Sequence, residues 1–171
     1  MKKLIITVAV FGTLIAASLS ASAQTVNKDP RQRARPKIAR EGVGLDGIVV
    51  GRSTAADVIK KFGKPLRTVK YKKYSTQLVY PGGISYYHCQ SDRKQVIFDI
   101  EMRAPFYVKT SKGIALSRST LEDVYKIYGK SKDGLEYRGV SFFYAKYKGR
   151  NIVTVIDIVE NGGIRQCKEA K

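Results

Sequence analysis

The sequence predicts an α+β fold made of two tandem repeats, each a short helical unit packed on an antiparallel sheet of three to four strands. The first observation is an internal repeat, because residues 47–64 return as residues 113–130 with ten of eighteen positions identical. The second is that each copy is followed by several short apolar and aromatic runs separated by turn residues. A helix followed by successive strands is typical of α+β proteins, whereas regular alternation of the two would indicate a parallel sheet.

The repeated segment predicts a short strand followed by a capped helix. Thr54 and Thr120 stand at the expected N-cap positions, where a hydroxyl accepts a hydrogen bond from a free backbone N–H. Asp57 and Asp123 follow three residues later and complete a variant of the capping box. A catalytic or metal-binding role for the two aspartates is the alternative. Capping is the favoured interpretation, because it explains both copies and their threonine partners.

The other strands are predicted where apolar runs lie between turn residues. They cover residues 76–80, 84–89 and 95–102 in the first copy, and residues 135–137, 140–144 and 151–159 in the second. The duplication extends into them, since Ile-Ser-Tyr-Tyr in the first copy aligns with Val-Ser-Phe-Phe in the second. The sequence therefore assigns residues 45–104 to the first repeat and residues 105–171 to the second.

The pattern G-x-S-T-x-x-D-V-x-x-x-F-G-K-P over residues 51–65 resembles the helical motif of the SmpA/OmlA outer-membrane assembly lipoproteins. The tandem arrangement is similar to the beta-lactamase inhibitory protein family, in which two such repeats join their sheets into one concave surface. The second copy departs from the pattern, with Ser117 in place of Gly51 and no proline at its end. The resemblance implies a protein-binding sheet surface and inhibition of an extracytoplasmic enzyme.

The first residues of the chain predict export. Residues 1–23 combine two lysines, an apolar stretch and an Ala-Ser-Ala cleavage site, as secretory signal peptides do. Gln24 follows the cleavage site where a lipoprotein would have cysteine. Residues 24–44 are basic, contain two prolines and lack apolar periodicity, so they predict a flexible arm that serves as a spacer or holds a polyanion. We expect a periplasmic or extracellular protein with no transmembrane segment after signal cleavage.

The two cysteines, Cys89 and Cys167, predict a disulfide, because thiols of exported proteins are usually paired. The alternative is a nucleophilic thiol with His88 as its base. Adjacent residues of a strand point to opposite faces, which argues against that dyad. His88 is the sole histidine, so no multi-histidine metal site is expected. No catalytic residue, metal or cofactor is predicted.

Asp99 and Asp157 recur at equivalent strand positions of the two copies. Two carboxylates in one cleft are the arrangement that a glycosidase needs. A structural role is favoured, because each residue occurs once per repeat and can pair with an arginine, Arg52 or Arg118, that also recurs. The sequence therefore predicts a protein that is not an enzyme.

The charge predicts an acidic partner. The chain has 32 lysines and arginines against 14 aspartates and glutamates, which gives a formal net charge of +18. Residues 58–91 contain no acidic residue, and Tyr71, Lys72, Lys73 and Tyr74 lie among their cations. Such a balance attracts an acidic protein or an anionic envelope component. Nucleic acid is less favoured, because no nucleic-acid-binding motif is present and the signal peptide predicts export.

Aromatic residues in the central strands predict the binding surface. They are Tyr86, Tyr87, Phe142, Phe143 and Tyr144, which alternate between the two faces of the sheet. The helices cover one face, and exposed aromatic residues on the other would mark a partner site. The sequence leaves open which face is which. It predicts an exported binding protein for an acidic partner, with an envelope assembly factor that binds anionic lipid or polymer as the alternative.

Overall fold

Seven strands form one antiparallel sheet, and a helix from each half of the chain packs on it. The computed structural model describes residues 35–131, 134–162 and 167–168. The predicted signal peptide and residues 24–34 of the predicted arm lie outside the described residues. The strands are Lys37–Ala39 (β1), Gly44–Leu45 (β2), Ile48–Val49 (β3), Arg67–Tyr71 (β4), Ser75–Tyr80 (β5), Ile84–Cys89 (β6), Ile97–Arg103 (β7), Val108–Thr110 (β8), Glu136–Tyr137 (β9), Val140–Tyr147 (β10) and Arg150–Val159 (β11). The order of strands in the seven-stranded sheet is β4-β5-β6-β7-β11-β10-β9.

The two helices, α1 over Ala55–Phe62 and α2 over Leu121–Tyr128, begin at capping boxes. The backbone N–H of Asp57 donates to the Thr54 hydroxyl at 3.3 Å, and the Thr54 N–H donates back to the Asp57 carboxylate at 2.8 Å. The same two bonds at the start of α2 measure 3.2 and 2.8 Å. The capping prediction is confirmed for both helices, and it accounts for both aspartates.

The core lies between the helices and one face of the sheet, called here the helix face. Tyr86, Ile100, Ile158 and Val140 face one another across four neighbouring strands, and each is at most 1% exposed. Helix α1 contacts β6 and α2 contacts β11, which brings their buried valines to this layer. Neither helix of the described chain has the length or apolar character of a membrane span.

Each half of the sheet carries a cluster of three aromatic rings at the end of its helix. The clusters are Phe62, Tyr80 and Tyr86 in the first half, and Tyr128, Tyr137 and Phe142 in the second. In the first, the Tyr80 hydroxyl donates to the carbonyl of Gly63 at 2.8 Å. In the second, the Tyr137 hydroxyl donates to the carbonyl of Gly129 at 2.7 Å. In both halves, a tyrosine hydroxyl thus donates a hydrogen bond to the carbonyl of the glycine that ends the helix.

Part of the predicted flexible arm is ordered, which corrects that prediction for residues 35–44. Strand β1 pairs in parallel with β8, and Ala39 is fully buried. The backbone N–H of Gly42 donates to the carbonyl of Gly139 at 2.8 Å. At Gly139 the backbone has a φ of 81°, and a Cβ would lie 2.3 Å from the Gly42 nitrogen. The ordering comes from contacts distant in sequence, which the local composition does not reveal.

The sheet is continuous between the two halves of the chain. Strand β7 of the first half pairs with β11 of the second, from Val155 opposite Arg103 to Val159 opposite Asp99. The mixed helix-and-sheet class predicted from the sequence is confirmed. The predicted boundary after residue 104 falls in the connection between β7 and β8.

Candidate binding surface

The most exposed aromatic segment of the described chain is the distal half of the β10–β11 hairpin. Every residue from 143 to 150 is exposed, and we call this segment the basic hairpin. Phe143, Tyr144 and Tyr147 are 53%, 48% and 62% exposed. Phe143 and Tyr144 are consecutive, and Ala145 and Lys146 separate them from Tyr147, so all three rings lie within five residues of one exposed strand.

The local sequence explains why the hairpin forms. Lys148 and Gly149 make a two-residue turn in which both φ angles are positive, at 48° and 78°. Turns of this kind match the right-handed twist of paired strands and favour glycine at one position. A bulge lies where Phe143 and Tyr144 meet β11, and bulges bend a hairpin and increase its twist.

The basic hairpin is strongly cationic. Lys146, Lys148 and Arg150 are exposed, and residues 137–156 contain no acidic residue. The Lys148 Nζ lies 5.5 Å from the centre of the Tyr147 ring, within reach of a cation–π interaction. Cations interleaved with exposed rings can pair with carboxylates while the rings bury apolar surface.

A groove of about 330 Å³ lies at the base of the basic hairpin. It is lined by Gly134, Leu135, Glu136, Ser141, Phe142, Phe143 and Tyr144. Leu135 and Phe142 are buried in its floor, while Phe143 and Tyr144 continue from it onto the exposed hairpin. Glu136 gives the groove an anionic rim, in contrast to the cationic tip.

The structure does not bring the predicted binding residues together. Tyr71, Lys72, Lys73 and Tyr74 form the β4–β5 turn, and all four are exposed. This turn lies at the end of the sheet where β6 finishes, since Ser75 is the partner of Cys89. The basic hairpin points past the opposite end. Phe143 and Tyr144 therefore belong to a different surface from the β4–β5 turn.

Two of the residues predicted from the sequence to bind a partner lie in the core instead. Tyr86 is 1% exposed and Phe142 is 3% exposed, because both side chains point to the helix face. Tyr87 points to the other face and is half-buried. Its ring centre lies 6.3 Å from that of Tyr71, and its hydroxyl donates to Glu101 at 3.2 Å. Neither Tyr86 nor Phe142 is available for contact with a partner.

Sequence reasoning missed the residues that complete the basic hairpin, which are Lys146, Tyr147, Lys148 and Arg150. The sequence does contain a pattern that indicates these residues. The pair Lys148-Gly149 lies between two runs of strand-forming residues, and the run of twenty residues from 137 to 156 has no acid. The exposure of this segment cannot be predicted from the sequence, because it depends on where the neighbouring strand β9 begins.

The face opposite the helices, called here the open face, has carboxylates at its centre. Asp157 lies directly opposite Glu101 on the neighbouring strand, and Asp99 precedes Glu101 by two residues on the same face. Glu101 is held by the Arg103 guanidinium, with nitrogen–oxygen distances of 2.8 and 2.9 Å. Of the two recurring aspartates, Asp157 is close enough to Arg103 for their charges to interact. The Arg118 guanidinium instead lies 4.9 Å from the centre of the Tyr107 ring.

The open-face aspartates have perturbed acidity. Burial, followed by the negative charge of Glu101, raises the pKa of Asp157 to about 7. Burial, followed by the charge of Asp157, raises the pKa of Asp99 well above its usual range. One carboxylate oxygen of each aspartate is buried without a hydrogen-bond partner in the described structure. Retaining a proton on the pair lowers the cost of burying these oxygens.

The sulfur atoms of Cys89 and Cys167 are at disulfide bonding distance. The bond closes a segment of 78 residues and ties the chain after β11 to the end of β6. His88 is buried, and its Nδ1 lies 3.2 Å from the Cys89 carbonyl oxygen. Because Cys89 is bonded in the disulfide, it has no free thiol for the alternative dyad with His88. Within the described ranges, no three side chains of the metal-ligating types are grouped to hold a metal ion.

No protein-family model and no curated protein matches the chain. Among solved structures it is similar to a DUF4309 family protein, YjgB, from Bacillus subtilis subsp. subtilis str. 168. The match has 16% sequence identity and a TM-score of 0.44, and it covers 70% of this chain and 88% of that one.

Proposed function

We propose that this is an exported, non-enzymatic binding protein that recognises an acidic partner protein through the basic hairpin. The observation that carries the proposal is a contiguous exposed segment with three aromatic residues, three cations and no acid. Exposed tyrosine and arginine are the residue types that dominate binding energy at protein interfaces. A partner that is acidic where the hairpin is basic would gain both association rate and specificity.

The proposal includes two points taken from the sequence. We infer that the two halves are tandem repeats, which the matching capping boxes and the tyrosine-to-glycine hydrogen bonds support. The disulfide is compatible with export to an oxidising compartment. By resemblance to the inhibitory protein family, one form of this function is inhibition of an acidic extracytoplasmic enzyme.

The test is a pull-down from envelope and secreted extracts with two charge variants of the oxidised protein. The first variant replaces Lys146, Lys148 and Arg150 of the basic hairpin with glutamine. The matched control replaces Lys70, Lys72 and Lys73, which are exposed at the other end of the sheet. Both variants lose three positive charges. We expect a discrete acidic protein to be retained by the wild type and the control, and to be lost by the hairpin variant.

Other outcomes would contradict the proposal. Equal loss in both variants would mean that net charge, and not the hairpin, attracts the partner. Retention of anionic lipid or polymer that is released by raised salt would favour the envelope-assembly alternative, since screening weakens exposed charge interactions.

A further inference from the structure

The outer edge of β10 is the feature from which we infer how the partner is held. Strand β9 has two residues and covers only Val140 and Ser141 of β10. The next outward hydrogen bond is from the Phe142 N–H to the Leu135 carbonyl, at 3.1 Å. From residue 143 to Tyr147 no further strand of the described structure lies along that edge.

The direction of the backbone groups follows from the ladder. In an antiparallel pair, alternate residues of a strand direct their N–H and C=O groups to the same side. Because the Phe142 N–H points outward, those of Tyr144 and Lys146 do so too. The closing pair of the two-residue turn, Tyr147 and Arg150, agrees with this assignment, since such a pair bonds inward. The unpaired edge thus offers the donors and acceptors of two alternate residues, Tyr144 and Lys146.

An unpaired edge is a template for another strand. Pairing between two copies of this chain is disfavoured at this edge, because Lys146, Lys148 and Arg150 of one copy would meet those of the other. Pairing with an acidic strand is favoured at this edge, because its carboxylates would lie beside three exposed cations. The groove of about 330 Å³ at the start of the edge can take an apolar side chain, while Glu136 on its rim disfavours a carboxylate there.

We propose that an extended acidic segment of the partner adds to the outer edge of β10 as an eighth strand of the sheet. Its backbone pairs with Tyr144 and Lys146, its carboxylates lie near the cations of the basic hairpin, and one apolar side chain enters the groove beside Phe143. This inference rests on the proposed function and specifies the mode of recognition. Main-chain hydrogen bonds supply affinity in such complexes, and alternate side chains supply specificity.

The test uses an eight-residue peptide that alternates glutamate and valine, in three forms. One form is unmodified, one is N-methylated at the glutamates, and one is N-methylated at the valines. N-methylation leaves the charge of the peptide unchanged. Methylation at the glutamates removes the N–H donors along one edge of the extended peptide, and methylation at the valines removes those along the other edge. We expect the unmodified peptide to bind the oxidised protein, one methylated form to bind at least ten-fold more weakly, and the other to bind within about two-fold.

A second measurement locates the strand. Bound peptide should slow hydrogen exchange at the backbone amides of Tyr144 and Lys146. The amides of Thr68 and Lys70, on the β4 edge of the same sheet, serve as the internal control and should be unchanged. Protection at β4 alone would overturn the proposed location.

The outcomes separate this inference from the proposed function. If both methylated forms bind as well as the unmodified peptide, and the glutamine variant of the basic hairpin does not bind, strand addition is wrong and hairpin recognition stands. If the unmodified peptide does not bind while the hairpin still retains an acidic protein, strand addition by an acidic segment is also wrong. If the glutamine variant binds the peptide as the wild type does, both proposals fail.

Discussion

Asp157 is the residue whose burial has the clearest consequence for stability. It is 5% exposed, and one of its oxygens has no hydrogen-bond partner in the described structure. Burial raises its pKa to about 7, above the value near 4 of an aspartate in an unfolded chain. Between these two values the folded state binds more protons than the unfolded state. The free energy of unfolding should therefore fall as pH rises from about 4 to 7, and level off above 7.

The measurement is urea unfolding at a series of pH values, in which we expect Asp157 to contribute a decline on the order of 4 kcal/mol. The control is Asp157→Asn, which keeps the shape of the side chain and removes the titration. Carboxyl groups with a lowered pKa, such as Glu41, have the opposite effect on stability. They stabilise the folded state at neutral pH, and this stabilisation is lost only at more acidic pH. A slope that is the same in the variant and the wild type would show that Asp157 does not titrate in this window.

At the scale of single elements, the helix caps allow a matched pair of tests. Thr54→Ala and Thr120→Ala each remove the hydroxyl that accepts the N–H of an aspartate in the first helical turn. We expect each variant to lose about 1 kcal/mol of unfolding free energy in chemical denaturation. Thr54→Ser and Thr120→Ser keep the acceptor and should stay close to the wild type. Serine variants as unstable as the alanine variants would point to the threonine methyl group instead.

The caps were predictable because their chemistry is local. Thr54 and Asp57 are three residues apart, and the same spacing returns at Thr120 and Asp123. A short stretch of sequence therefore contains every residue of the motif. The strand faces were not predictable in this way. Strand β6 has large side chains on both faces, and Tyr86 is buried instead of Tyr87 only because α1 packs on its side of the sheet.

The binding surface illustrates the same limit. Phe143 and Tyr144 were predicted from their aromatic character, and the structure exposes them. Their exposure arises because β9 begins only at Glu136, opposite Ser141, and leaves the distal part of β10 uncovered. The β4–β5 turn has a similar composition but lies at the other end of the sheet. Composition identifies segments that suit an acidic partner, whereas strand order decides which of them share a surface.

For the whole molecule, the net charge of +18 hides an uneven distribution. The centre of the open face carries Asp99, Glu101 and Asp157, and the cations of the basic hairpin and of the β4–β5 turn lie at opposite ends of the sheet. An acidic partner would find little free positive charge at the centre of the open face, where Arg103 is paired with Glu101, and exposed cations at its ends. This distribution favours recognition by a hairpin and an edge over recognition by the whole sheet surface.

The disulfide permits a test that separates stability from binding across the whole molecule. Replacing Cys89 and Cys167 together with serine opens a loop of 78 residues in the unfolded chain. The chain-entropy relation then predicts a loss of about 4 kcal/mol in unfolding free energy, measured by denaturation of the oxidised wild type and the double variant. The bond lies where β6 ends, beside the β4–β5 turn, and the basic hairpin extends past the other end of the sheet.

Where the double variant is still folded, it should therefore bind the acidic peptide with the affinity of the wild type, within about two-fold. Near-ultraviolet circular dichroism identifies the conditions in which tertiary structure persists, so that a binding loss is not confused with unfolding. A folded double variant that no longer binds would place the binding surface near the disulfide and away from the basic hairpin. Unchanged binding with reduced stability would mean that the disulfide supports the fold while β10 and its hairpin hold the partner.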